Sequence, residues 1–107
     1  MALTDAVRAE IEAQLKKSSV VLFMKGNKHF PQCGFSSQVV SILTELGAPF
    51  SAVNVLSDPA IREGIKEYPN WPTIPQLYIN GEFIGGSDIM AQMYESGELQ
   101  ELLAKVA

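Results

Sequence analysis

Leu3, Val7, Ile11 and Leu15 recur every four residues with Ala6 and Ala13 beside them, the spacing of one apolar helix stripe. A first helix over Thr4–Lys17 is therefore predicted, capped by Thr4. Val20 to Met24 follows as an unbroken apolar run of β-formers, which reads as a central strand buried on both faces. Lys25 to Pro31 breaks the pattern and is a loop. From Phe35 to Leu46 the apolar residues Phe35, Val39, Val40, Leu43 and Leu46 return to helical spacing, with Gly47 as the stop and Pro49 barring continuation. Phe50–Leu56 reads as a second strand. Two strands joined by a helix form a βαβ unit, so they are expected to be parallel with a right-handed crossover. Asp58 then caps a third helix with Pro59 at its first position. It runs through Tyr68 with Ile61, Ile65 and Tyr68 inward, and Gly64 works against its regularity. Gln76–Ile79 and Glu82–Ile84 flank Asn80-Gly81, a strong signal for a two-residue hairpin. A helix over Asp88–Glu95 is interrupted by Ser96-Gly97, and a last helix carries Leu99, Leu102, Leu103 and Val106. The order α-β-α-β-α-β-β-α-α describes an α/β chain with no repeat, low-complexity tract or linker.

The 107 residues fit a single domain, 1–107. A net charge of −4 argues against nucleic acid, whose phosphates call for a basic surface. Val20–Met24 is the longest apolar run, far short of a membrane span. Met1–Glu10 carries acids and no apolar run, matching neither a signal nor a transit peptide. With a single cysteine there is no internal disulfide framework. Together these set the expectation of a reducing, cytoplasmic location.

Cys33 stands where the loop after the first strand meets the next helix. A buried structural thiol is one reading, since free cysteine is among the most buried residue types. Its neighbours Pro31, Gln32 and Gly34 make a poor core segment, however. A helix N-terminus offers unpaired N–H groups and a positive dipole end. Such a site lowers a thiol's pKa and makes a thiolate that acts as nucleophile or metal ligand. His29, the sole histidine, lies in the loop and is expected to be solvent-exposed, and Trp71 is expected to pack.

Cys33-Gly34-Phe35-Ser36 resembles the active-site motif of the monothiol glutaredoxins of the Cys-Gly-Phe-Ser type. Met24-Lys25-Gly26 before it, Trp71-Pro72-Thr73-Ile74-Pro75-Gln76 after it and Gly85-Gly86-Ser87-Asp88 beyond stand in the same register, from about Ser19 to the C-terminus. The resemblance implies a thioredoxin-like fold, with a four-stranded mixed sheet flanked by helices on both faces. It makes Pro75 the family's cis-proline, which turns the backbone of Ile74 outward to pair with the cysteinyl residue of glutathione. The alternative is that Pro72 and Pro75 only form a rigid turn. Ser87 and Asp88, opening a helix, suit the carboxylate and ammonium of the γ-glutamyl end. A plain N-cap by either is equally open. Lys25 and Arg62 are the matching positions for the glycine carboxylate. Asn27 stands where the family often has threonine.

Two functions follow from that resemblance. In the first, Cys33 is one ligand of a [2Fe–2S] cluster, which commonly takes four thiolates. Two chains and two glutathiones supply them in a homodimer that passes the cluster to apo iron–sulfur client proteins. In the second, Cys33 is the catalytic nucleophile of a glutathione-dependent thiol–disulfide oxidoreductase that removes glutathione from mixed disulfides, a weak activity in this subtype. Ser36 favours the first, because the dithiol relatives carry a second cysteine there. A heterodimer with a BolA-like protein rests on family analogy alone.

Overall fold

Val20–Met24 forms strand β1, with all five side chains buried, as an unbroken apolar run requires of a central strand. The computed structural model describes residues 1–106. β1 pairs in parallel with β2 (Ser51–Asn54) and antiparallel with β3 (Gln76–Ile79). β4 (Glu82–Gly85) pairs antiparallel with β3, giving a mixed four-stranded sheet of order β2-β1-β3-β4. Asn80 and Gly81 turn the β3–β4 hairpin with φ values of 52° and 80°, the left-handed pair that a type I′ turn needs.

Alternation along β1 divides the core. Val20, Leu22 and Met24 face one layer, and Val21 and Phe23 face the other. The first layer packs on α2 (Gly34–Glu45), α4 (Ser87–Ser96) and α5 (Glu98–Ala104) through Val39, Leu43, Met90 and Leu99. The second packs on α1 (Asp5–Leu15) and α3 (Pro59–Glu67) through Ile11, Ile61 and Ile65. Each such side chain contributes about 1.5–3 kcal/mol by leaving water. No helix among the described residues is long and apolar enough to cross a membrane.

Thr4 caps α1 as expected, its Oγ1 accepting the Val7 N–H at 3.2 Å, but the helix ends at Leu15 and Ala6 and Ala13 are exposed. Asp58 caps α3 by accepting the Ile61 N–H at 3.2 Å. Gly64 does not disturb α3. It lets α1 approach, since a Cβ there would sit 2.5 Å from Val7 Cγ1. Tyr68 lies just past the helix as its C-cap and is half-buried. The second strand is shorter than Phe50–Leu56. At Asn54 the side-chain Oδ1 accepts the Leu56 N–H at 2.9 Å, and Val55–Ser57 becomes a 3-10 turn. Strand directions bring the ends of β1, β2 and β4 and the start of β3 to one end of the sheet. The motif residues meet there.

Candidate active site

Beyond Met24 the chain folds back on itself. The Gln32 N–H donates to the Lys25 carbonyl at 2.9 Å, and Gly26 bridges to Pro31. Asn27 Oδ1 accepts the N–H groups of both His29 and Phe30, each at 2.9 Å, a side-chain mimic of a backbone turn. His29 itself is exposed. Lys28 Nζ lies 4.2 Å from the centre of the Phe50 ring and fastens the loop's far side. The fold-back delivers Cys33 to the N-cap of α2 in an extended conformation, φ −150°.

Cys33 is half-exposed and free, so the buried structural thiol is set aside. Its sulfur makes no regular capping hydrogen bond, yet its thiol is held below the ordinary value. The Ser36 N–H is the largest cause. The Phe35 N–H, the Lys25 charge and the Ser36 hydroxyl add to it, against an opposing effect of partial burial. Alkylation by iodoacetamide should therefore rise with pH through a midpoint below that of free cysteine and level off above it, because only the thiolate reacts. A midpoint at or above the free-thiol value would contradict this electrostatic account.

A groove of about 350 Å³ runs beside the sulfur. Lys25 reaches it from the end of β1, Cys33 and Phe35 from α2, and Arg62 and Lys66 from α3. Pro72, Thr73 and Ile74 form the opposite wall. Lys66 was not singled out by the sequence, although its spacing of four from Arg62 puts the two on one helix face. Lys66 also pairs with Glu63 at 3.3 Å. Phe35, expected on the apolar face of the helix, is instead 60% exposed at the groove. It lies in the first turn of α2, ahead of the core-facing stripe that starts at Val39.

The Ile74–Pro75 peptide is cis. The Ile74 side chain is buried in the α1–α3 layer. Among the described residues its N–H and C=O take no hydrogen bond. The wall is held from beneath by Gln76, fully buried on β3. Its Nε2 donates to the carbonyls of Trp71 and Thr73, both at 3.2 Å, and its Oε1 accepts the Tyr78 hydroxyl at 3.0 Å. Burial pushes the Tyr78 phenol up, so it stays a neutral donor. The Trp71 ring packs on Phe83 with centres 5.5 Å apart.

Ser87 and Asp88 do not line the groove. They are the first two residues of α4, whose N-cap is Gly86, so neither is a plain N-cap. A Cβ on Gly86 would lie 3.3 Å from the Pro75 carbonyl oxygen, so this helix start adjoins the cis-proline wall. Among the described residues no group of three or more His, Cys, Asp or Glu side chains is placed to hold a metal ion. A single chain therefore offers iron one thiolate, that of Cys33. A separate groove of about 440 Å³ lies at the other end of β1, lined by residues such as Val20, Leu46 and Leu103 and by no charged side chain.

A glutaredoxin family profile matches residues 20–84. A monothiol glutaredoxin of Synechocystis is 59% identical over 101 residues, 94% of each chain. Monothiol glutaredoxin-S7 of rice chloroplasts is 55% identical over 96% of this chain, which spans 61% of that relative's length. The solution structure of reduced poplar apo GrxS14 superposes with a TM-score of 0.84 at 56% identity, covering 98% of this chain and 96% of the other.

Proposed function

Since this chain belongs to the glutaredoxin family, in its monothiol branch, we propose that it binds glutathione in the groove beside Cys33 and carries a [2Fe–2S] cluster as cargo between two copies of itself. The observation that carries this reading is the company of the thiol. A half-exposed thiol, its pKa lowered, stands at a helix start with Lys25, Arg62 and Lys66 along one groove, in a chain whose net charge is −4. Cations gathered against the overall charge suit an anionic ligand. The unpaired N–H and C=O of Ile74 suit an extended peptide, which adds to such a backbone as a strand adds to a sheet edge. Glutathione's cysteinyl residue pairs with Ile74, its glycine carboxylate meets Lys25 and Arg62, and its γ-glutamyl end reaches the start of α4 at Ser87 and Asp88. Its sulfur then lies beside that of Cys33.

The donor set fits a shared cluster and does not fit one held by a single chain. Four thiolates are commonly needed. One cysteine per chain and one glutathione per groove supply four across two copies. Apo iron–sulfur proteins are the recipients. The test is the size of the anaerobic protein with and without glutathione. The cluster-loaded form is expected as a dimer containing two chains and two glutathiones, and removal of glutathione should release cluster and chains together. A loaded monomer, or a dimer indifferent to glutathione, would overturn the arrangement.

The exposed, acidified thiol also supports a second reading, removal of glutathione from mixed disulfides. The Cys33 thiolate attacks the glutathionyl sulfur, the S–S bond breaks, and the client thiolate leaves and takes a proton from solvent. A second glutathione thiolate then attacks the Cys33–glutathione disulfide, releasing the Cys33 thiolate and oxidised glutathione. No second protein thiol is needed.

A further inference from the structure

The β1–β2 ladder stops at the pair Met24↔Asn54. The next two backbone N–H groups, of Lys25 and Gly26, have therefore run out of parallel strand. Both are taken by side chains. Ser36 Oγ accepts the Lys25 N–H at 3.1 Å, and Asn54 Oδ1 accepts the Gly26 N–H at 3.0 Å. Ser36 is fully buried and sits in the first turn of α2, three residues from the thiol. The same Asn54 oxygen also accepts the Leu56 N–H at 2.9 Å, while Ser57 Oγ donates to the Asn54 carbonyl at 2.9 Å. That turn leads straight into Asp58, the cap of α3, whose carbonyl accepts the Arg62 N–H at 2.9 Å. Side chains from two elements thus grip consecutive peptide units. One grip ties Lys25 to the helix that Cys33 caps, and the other ties Gly26 to the end of β2, from which the Val55–Ser57 turn leads into the helix that carries Arg62 and Lys66.

We propose that Asn54 and Ser36 are positioning residues that hold the Lys25 ammonium in register with Arg62 and with the Cys33 sulfur. The proposal rests on the glutathione reading of the groove. Lys25 has a long, mobile side chain, so the one means of aiming it is to fix its backbone. Without these acceptors the Lys25–Gly26 peptides would turn to water, and the cation would be spread over more positions. Asn54 is suited to the task because its single amide oxygen has two lone pairs and serves two donors at once. Neither Asn54 nor Ser36 lines the groove, so Asn54 acts through the Lys25–Gly26 backbone, while the Ser36 hydroxyl serves both the Lys25 N–H and the Cys33 thiol.

A double-mutant cycle with S-methylglutathione, which keeps the charges of glutathione but cannot form a disulfide, separates positioning from a merely structural role. Calorimetry well below the thermal midpoint would compare the wild type, Asn54→Ala, Lys25→Met and the double variant. Asn54→Ala is expected to weaken binding about fivefold to tenfold, the scale of coupling within one hydrogen-bond network. In the Lys25→Met background the same change should alter affinity less than about twofold, while lowering the thermal midpoint equally in both backgrounds. An equal affinity loss in both backgrounds, or none in either, overturns the proposal. If Asn54→Ala does not fold, Ser36→Ala is put through the same cycle in a Cys33→Ala background, where the contact of its hydroxyl with the thiol is already gone, with the same expected result. A wild type that fails to bind the ligand overturns the glutathione reading itself, whereas a binding wild type with an additive cycle overturns only the positioning role.

Discussion

Cys33→Ser should lose both thiol exchange and cluster loading while leaving the fold and the groove intact. A serine hydroxyl is too weakly acidic for the Ser36 and Phe35 N–H groups and the Lys25 charge to ionise it near neutral pH. It is also a hard oxygen donor where iron–sulfur clusters take thiolates. Exchange should fall by about 10⁴-fold or more, the scale seen when a nucleophile is deleted. Stability should change by no more than about 0.5 kcal/mol, because the sulfur is half-exposed and closes no regular cap. Glutathione itself should still bind, since Lys25, Arg62 and Ile74 are untouched. Exchange kinetics, iron and sulfide content, a thermal melt and calorimetry with glutathione on one preparation test all four parts. A serine variant holding stoichiometric iron and sulfide would show that the ligands come from elsewhere in the chain.

The largest structural effect is expected at Gly26. Its φ of +91° is in the left-handed region, and a Cβ there would sit 2.5 Å from the Phe30 carbonyl oxygen and 2.6 Å from the Gln32 nitrogen. Neither neighbour is a side chain that can swing aside. Both belong to the fold-back that brings Cys33 to its helix. Gly26→Ala therefore either opens the loop or strains it, at a cost of about 3 kcal/mol or more. In a domain of this size that lowers the thermal midpoint by roughly 10–20 °C. Gly34→Ala is the control: Gly34 has nothing within 4 Å of its Cβ position. Differential scanning calorimetry of the two variants decides the matter. Equal midpoints would mean that the loop relaxes freely and does not place the thiol rigidly.

The individual strands and helices were legible because their signals are periodic, while the mixed sheet with helices on both faces came from the family resemblance. The run Val20–Met24 left no choice but a central strand, and Asn80-Gly81 marked its hairpin without ambiguity. Cys33, Lys25 and Ile74 could be gathered from their motifs and Arg62 from its matching family position, and the structure brings these four to one groove. Ser87 and Asp88 belong to the adjoining helix start. Lys66 was missed because its neighbour Glu63 makes it look like an ordinary surface ion pair. Gln76 was visible as part of a motif, but its work lies in three hydrogen bonds to the loop before it and to Tyr78. Hydropathy carries no trace of such contacts. Phe35 misled for a related reason: helical spacing assigns a face, and the first turn of a helix can stand clear of the core that the face later meets. At Asn54 the error ran the other way. Val55 and Leu56 are good strand formers, and one side-chain oxygen was enough to turn them.

The two outermost strands, β2 and β4, are four residues each. An open edge of that length presents only a few outward N–H and C=O groups to a stranger, and β4 ends in Gly85 at φ +155°, which breaks the row. Rims so short are poor templates for strand-by-strand growth. This sheet is thus guarded against fibrillar stacking, even though its central strand, Val20–Met24, is as aggregation-prone a pentapeptide as the chain contains.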